Sequence, residues 1–197
     1  MSVKIAITGG IGSGKSTVCM AVRAMGYPIY DSDKEARRLM EEKETIIESV
    51  VEVFGPEAYH EGHLNRRAVA EKAFSSPDKL LKLNSIVHPA VIEDFSAWAS
   101  RQKSGLVFIE TAILFESGLD KAVDTIVVIT APEELRIERI VRRDGCSAGE
   151  ARRRIDAQMS QERLAEAADY VITADDATPV LPQLEGVLAE LEEKNVF

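Results

Sequence analysis

Eight consecutive residues near the N-terminus, Gly9-Gly10-Ile11-Gly12-Ser13-Gly14-Lys15-Ser16, constrain this chain more than any other feature. They satisfy the pattern G-x-x-x-x-G-K-[ST], which needs a strand before it and a helix after it. Both flanks are present. Val3–Thr8 is a short apolar run in which Lys4 is the one charge, the pattern of a strand buried on both faces. Lys15 to about Met25 reads as a helix closed by Gly26. Glycines let backbone N–H groups wrap an anion without Cβ clashes, and the helix start adds partial positive charge at the same point. The loop is therefore expected to bind ATP through Gly10, Ile11, Gly12, Ser13, Gly14, Lys15, Ser16 and Thr17. Lys15 is expected at the β and γ phosphates, the Ser16 hydroxyl on Mg²⁺ and Thr17 near the α phosphate.

The remainder of the chain alternates strand and helix. Tyr27–Tyr30 is a second apolar run that ends in Asp31-Ser32-Asp33, and Ser32 with Glu35 fits a capping box for a helix to about Glu42. From Thr45 to about Arg101 the periodicity is helical with no convincing strand, broken by Gly55-Pro56 and punctuated by Asn65, Pro77 and Pro89. Strands return at Leu106–Ile109 and Thr125–Thr130, and a last short one at Tyr170–Thr173. Pro132 opens an Arg-rich helix that Asp144-Gly145 turns, and Ser147 with Glu150 caps a second. Val180, Leu181, Leu184, Val187, Leu188 and Leu191 form an apolar stripe on a final helix. Such alternation with right-handed crossovers implies an α/β parallel sheet.

Charge narrows the ligand. The net charge is −9, against a surface built to neutralise a nucleic-acid backbone. Yet Arg136 to Arg163 carries eight arginines and five acids, and every basic residue there is Arg, whose fork suits bidentate phosphate contact. A solvated helical surface with i,i+4 pairs explains the same composition. No aromatic stands between Phe115 and Tyr170, so base stacking by this arm is not expected. The two cysteines, Cys19 and Cys146, form no CxxC pair, and no apolar run approaches the roughly 18 residues of a membrane span. With no secretory pattern at the N-terminus, these features lead to the expectation of a soluble cytoplasmic protein, without membrane or nucleic-acid partners and either monomeric or a small homo-oligomer.

A phosphate loop alone does not name a reaction. The D-x-x-G and [NT]-K-x-D signatures of Ras-type GTPases are absent, and helicases and motor ATPases are longer; small kinases remain. These need an acceptor site, a cationic lid and a carboxylate near the acceptor hydroxyl. Asp31 and Asp33 follow the second strand, at the sheet edge that carries the loop. Asp33 could take the hydroxyl proton, while helix capping is the ordinary role for Asp31.

Six segments in order, Thr8-Gly-Gly-Ile-Gly-Ser-Gly-Lys-Ser-Thr17, Tyr30-Asp-Ser-Asp33, Asn84-Ser-Ile-Val-His-Pro89, Ile113-Leu-Phe-Glu-Ser-Gly-Leu119, Arg143-Asp-Gly145 and Arg154-Ile-Asp-Ala-Gln-Met159, resemble the dephospho-CoA kinase family. That resemblance implies ATP-dependent phosphorylation of the ribose 3′-hydroxyl of dephospho-CoA, the last step of coenzyme A synthesis. It implies Asp33 as catalytic base, with Lys15 and Arg143 as the other catalytic groups, Arg66 and His88 in the acceptor pocket, and Arg139 and Arg143 in a lid over ATP, with Arg154 as a further lid arginine. A family aspartate is replaced by Glu110, a proline by Ala112, and a frequent asparagine is missing from Val171-Ile-Thr-Ala-Asp-Asp176. The expected architecture is a P-loop NTPase three-layer α/β fold of nucleoside-monophosphate-kinase type. Its core is 1–42, 105–135 and 161–197, its helical acceptor-binding insertion 43–104 and its Arg-rich lid 136–160.

Overall fold

A computed structural model describes residues 2–195. Five strands, β1 (Val3–Thr8), β2 (Ile29–Asp31), β5 (Leu106–Glu110), β6 (Thr125–Thr130) and β7 (Tyr170–Thr173), form a parallel sheet in the order β2-β5-β1-β6-β7. A parallel sheet is buried on both faces, and the alternation along the strands shows it. Ile5, Ile7, Leu106 and Phe108 pack with α1 (Lys15–Ala24) and α9 (Val180–Asn195). Ala6, Val107 and Ile109 face the other way, into a cluster with Leu39, Val50 and Phe95. The second cluster is continuous from the sheet through α2 (Ser32–Glu42), α3 (Glu44–Phe54), α4 (Arg66–Phe74) and α5 (Pro77–Ser100).

Several local expectations shift. The N-cap of α2 is Asp31, whose carboxylate accepts from the Lys34 amide, so the helix begins at Ser32 rather than after it. Pro89 opens no helix. It lies inside the 24-residue α5, whose burial of Val87, Ala90, Val91 and Phe95 outweighs the hydrogen bond that proline removes. The helical block also holds a hairpin, β3 (Tyr59–His60) with β4 (His63–Leu64). Its two-residue turn, Glu61-Gly62, has positive φ at both positions, 49° and 82°, a primed turn in which Gly62 carries no steric penalty. Glutamate in place of the usual Asn or Asp hid it from the sequence.

The Arg-rich helices form as expected: α6 (Glu133–Asp144) ends at left-handed Gly145, and α7 (Ala148–Asp156) starts on a complete Ser147–Glu150 capping box. The pair has its own small core, Ile140, Ala151 and Ile155, and Ile11 of the glycine loop packs against it. An unanticipated short helix, α8 (Gln161–Glu166), leads into β7. In α9, Leu184, Leu188 and Leu191 are buried while Leu181 is exposed, so the stripe is narrower than its sequence. No helix is long and apolar enough to cross a membrane among the described residues.

Candidate active site

The site is built at the carboxyl edge of the sheet by strand register. Ile7 is paired with Glu110, and Glu110 with Asp31, so the ends of β1, β5 and β2 stop side by side. The loop after β1 arches over this edge. Among the described residues, the N–H groups of Gly12, Gly14, Lys15 and Ser16 donate to no protein acceptor. Four free amides at a helix start are a nest for an anion. Gly14, with φ +100°, is the left-handed residue that turns the loop into α1.

A cavity of about 570 Å³ lies against this nest. It gathers Lys15, Ser16, Asp31, Asp33 and Glu110 from the sheet side and Arg139, Arg143 and Gln158 from the helix pair. Lys15 donates to the Gly9 carbonyl at 2.7 Å. Burial pushes its ammonium below the ordinary lysine range, although the Glu110 and Asp33 carboxylates oppose the shift. Glu110 also faces Arg23, at 3.6 Å, and the buried Cys19, whose thiol is driven far up by burial and by this carboxylate.

Asp33 lines a second, smaller space of about 130 Å³ with Ala36, Val87, His88, Val91 and Ile113. This largely apolar pocket adjoins the larger cavity through Asp33 and Thr111. Burial lowers the pKa of His88, which favours the neutral imidazole. A third space, about 420 Å³, shares Gly14 and Arg139 with the first and lies between Thr17, Leu135 and the segment from Ala174 to Val180.

The expected site residues divide accordingly. Lys15, Ser16, Asp33, Arg139 and Arg143 share one cavity, Thr17 lies at the third, and His88 meets Asp33 at the second. Arg66 lines none of these three and pairs with Glu41 at 3.1 Å while 58 % exposed. Ile11, Gly12 and Gly14 line the first cavity too, and three loop residues are also tied within the protein. The Ile11 N–H donates to Gln158 Oε1 at 2.7 Å, the Ser13 N–H to the Gly10 carbonyl at 3.1 Å, and Gly10 lies flat on the Arg136 guanidinium. The hydroxyls of Ser13 and Thr8 are buried without a protein partner.

The arginine arm splits both ways. Arg142 pairs with Glu138 and Arg152 with Glu133 on the surface, as a solvated helix would. Arg139 turns inward, donating to the carbonyls of Gly12 at 3.2 Å and Ala174 at 2.8 Å and to Asp176. Arg143 is held by Asp144, which also binds Arg154 at 2.8 Å.

A parallel five-stranded sheet with a free amide nest at its carboxyl edge defines a P-loop NTPase fold. The crystal structure of TT1252 from Thermus thermophilus superposes with a TM-score of 0.81 at 37 % identity, covering 98 % of this chain and 97 % of that one. A shikimate kinase from Acinetobacter baumannii shares the fold at TM-score 0.57 and 16 % identity, covering 98 % and 95 %. The dephospho-CoA kinase family model matches residues 3–179. Curated dephospho-CoA kinases from Bacteroides fragilis and Salinibacter ruber are 40 % and 42 % identical, over 98 % and 87 % of this chain and 95 % and 88 % of theirs. The chain belongs to the dephospho-CoA kinase family and is a kinase.

Proposed function

We propose that this protein transfers the γ-phosphoryl group of ATP to the ribose 3′-hydroxyl of dephospho-CoA. The carrying observation is that Asp33 lines both the cavity at the amide nest and the pocket that holds His88, and it is the only carboxylate among the described residues that does; Thr111 is the other residue the two spaces share. A donor phosphate on the nest and an acceptor hydroxyl in the pocket would meet at this carboxylate. Asp33 accepts the hydroxyl proton as the oxygen attacks, while Lys15 and Arg143 offset charge on the transferred group. Holding both reactants at one edge supplies the positioning on which phosphoryl transfer depends.

Mg²⁺ binds with few protein ligands, substrate phosphates and water. That fits a cavity offering the Ser16 hydroxyl, with Glu110 nearby, rather than a cage. The Ser16 hydroxyl would hold it, and the metal would supply positive charge beside the transferred phosphoryl group.

Arg139 reaches from the nest to the space beside Ala174, which suits the base end of the nucleotide. The helix pair α6–α7 is read as the lid and the 43–104 block as the acceptor subdomain. Arg66 extends the acceptor site outward: Glu41 lies eight residues along α2 from Asp33, roughly 12 Å at a helical rise. Arg66 is thus placed for the distal part of a long acceptor, and His88 for the part beside the reacting ribose. The setting is cytoplasmic, with small molecules as partners.

The test is a coupled ADP-release assay across dephospho-CoA, adenosine, AMP and CMP. ADP release should depend on dephospho-CoA and yield coenzyme A; equal turnover with another acceptor would defeat the assignment. His88→Ala and Arg66→Ala should each raise KM for dephospho-CoA by about tenfold or less, the ordinary range for one lost contact, and leave KM for ATP unchanged.

A further inference from the structure

Arg136 is absent from every role assigned so far, yet it is the one arginine buried in the protein among the described residues, at 5 % exposure. Its Nε donates to the Ile11 carbonyl at 3.0 Å. Its guanidinium occupies the space that a Cβ at Gly10 would need, and its carbonyl lies 2.7 Å from where a Cβ at Gly12 would stand. The glycine loop is therefore moulded on Arg136, which lines none of the three cavities at the site. Among the described residues no carboxylate is within ion-pair distance; Glu133 and Glu162 attract it only from farther away. Burial accordingly depresses its pKa, and Arg136 and Lys15 are close enough to repel each other. An uncompensated buried charge destabilises a fold unless something of opposite sign arrives.

We propose that Arg136 is a positioning residue for the nucleotide phosphates, holding the loop at Ile11 and placing beside the amide nest a positive charge that the bound polyphosphate compensates. Anions at the nest relieve both Arg136 and Lys15, so a cost carried by the free protein is returned on binding. Gln158 completes the support: it takes the Ile11 N–H while Arg136 takes the Ile11 carbonyl, which ties the loop to the base of the lid. The inference rests on the reading of the nest as the nucleotide site.

The experiment compares full-length wild type with Arg136→Met, Arg136→Gln and Arg136→Lys. Thermal unfolding with and without ADP, ADP binding by calorimetry, and KM for ATP and for dephospho-CoA are measured. Arg136→Met, which fills similar volume without charge, should unfold at or above the wild-type temperature without ligand. It should bind ADP about tenfold more weakly, with a smaller ADP-induced rise in Tm. KM for ATP should rise in parallel, and KM for dephospho-CoA should stay within about twofold. Arg136→Lys should recover most of the affinity that Arg136→Gln loses. A Met variant that is destabilised without ligand but keeps the wild-type ADP shift would overturn the proposal. So would equal loss in the Lys and Gln variants, or an equal rise in both KM values. If the Met variant does not fold, the Lys and Gln pair decides. Failure of wild type to bind ADP would instead overturn the nucleotide reading itself.

Discussion

Asp33 and Lys15 stand about as far apart in sequence as β1–α1–β2 requires, and the sheet edge returns them to one cavity. Asp33→Asn should lower kcat by about 10² to 10⁴ with KM for ATP nearly unchanged, since the carboxylate serves the acceptor hydroxyl. Steady-state kinetics decides this, and a variant that turns over at the wild-type rate would remove Asp33 from the mechanism. Lys15 makes a prediction about pH. Burial penalises its charged form in the free protein, whereas phosphates favour that form, so binding must raise its pKa. As pH rises toward the ordinary lysine range, nucleotide binding should take up protons and weaken. Calorimetry in buffers of different ionisation enthalpy measures the uptake, and Lys15→Met should abolish it. Sequence reasoning placed Lys15, Ser16 and Asp33 because each depends on local spacing beside a strand. It passed over Arg136 and Gln158 because a composition of eight arginines does not say which turns inward.

At the scale of elements, the two large clusters and the small one differ in what they can tolerate. The α6–α7 pair buries only Ile140, Ala151 and Ile155 in its own core, so its opening should be easier than that of the sheet. Ser147 caps α7: its hydroxyl accepts from the Glu150 amide at 3.2 Å, and the Glu150 carboxylate accepts from the Ser147 N–H at 2.9 Å. Ser147→Ala should therefore cost about 1 kcal/mol of local stability. Hydrogen exchange should show faster exchange of the α7 amides with β1 and β5 unaffected; uniform acceleration would mean that the pair does not open by itself. The capping box was legible because it is a four-residue signal. Pro89 misled because a proline marks a helix start by local rules, and only burial along the whole of α5 reverses that. The β3–β4 hairpin escaped because two-residue strands carry no period.

For the whole molecule, the link between the acceptor side and the sheet is a polar junction inside an apolar cluster. Tyr30, buried in β2 next to Asp31, donates to Asp94 of α5 at 2.7 Å, and Arg38 of α2 donates to the same oxygen at 2.9 Å. The Tyr30 ring meets Phe95 and Trp98 edge to face. Tyr30→Phe should cost about 1–2 kcal/mol, read by urea unfolding with Trp98 as the fluorescent probe. In a chain of this size that lowers Tm by about 2–4 °C per kcal/mol. KM for dephospho-CoA should rise while KM for ATP does not, because Asp94 and His88 share α5; equal changes would show no coupling to the acceptor side. The charge total has a similar division: a net of −9 describes the surface, while cations converge on one anion nest. By itself, the sequence determined what adjacent residues decide: the strand, the glycine loop and helix that follow it, the helix caps and the segments that mark the family. Tertiary structure alone decided that Asp31 and Glu110 stand in register, that Arg66 lies outward along α2, and that Gln158 reaches Ile11 across 147 positions. Those contacts join residues far apart in the chain, and their energies depend on how whole elements pack and which charges that packing buries, which no local pattern encodes.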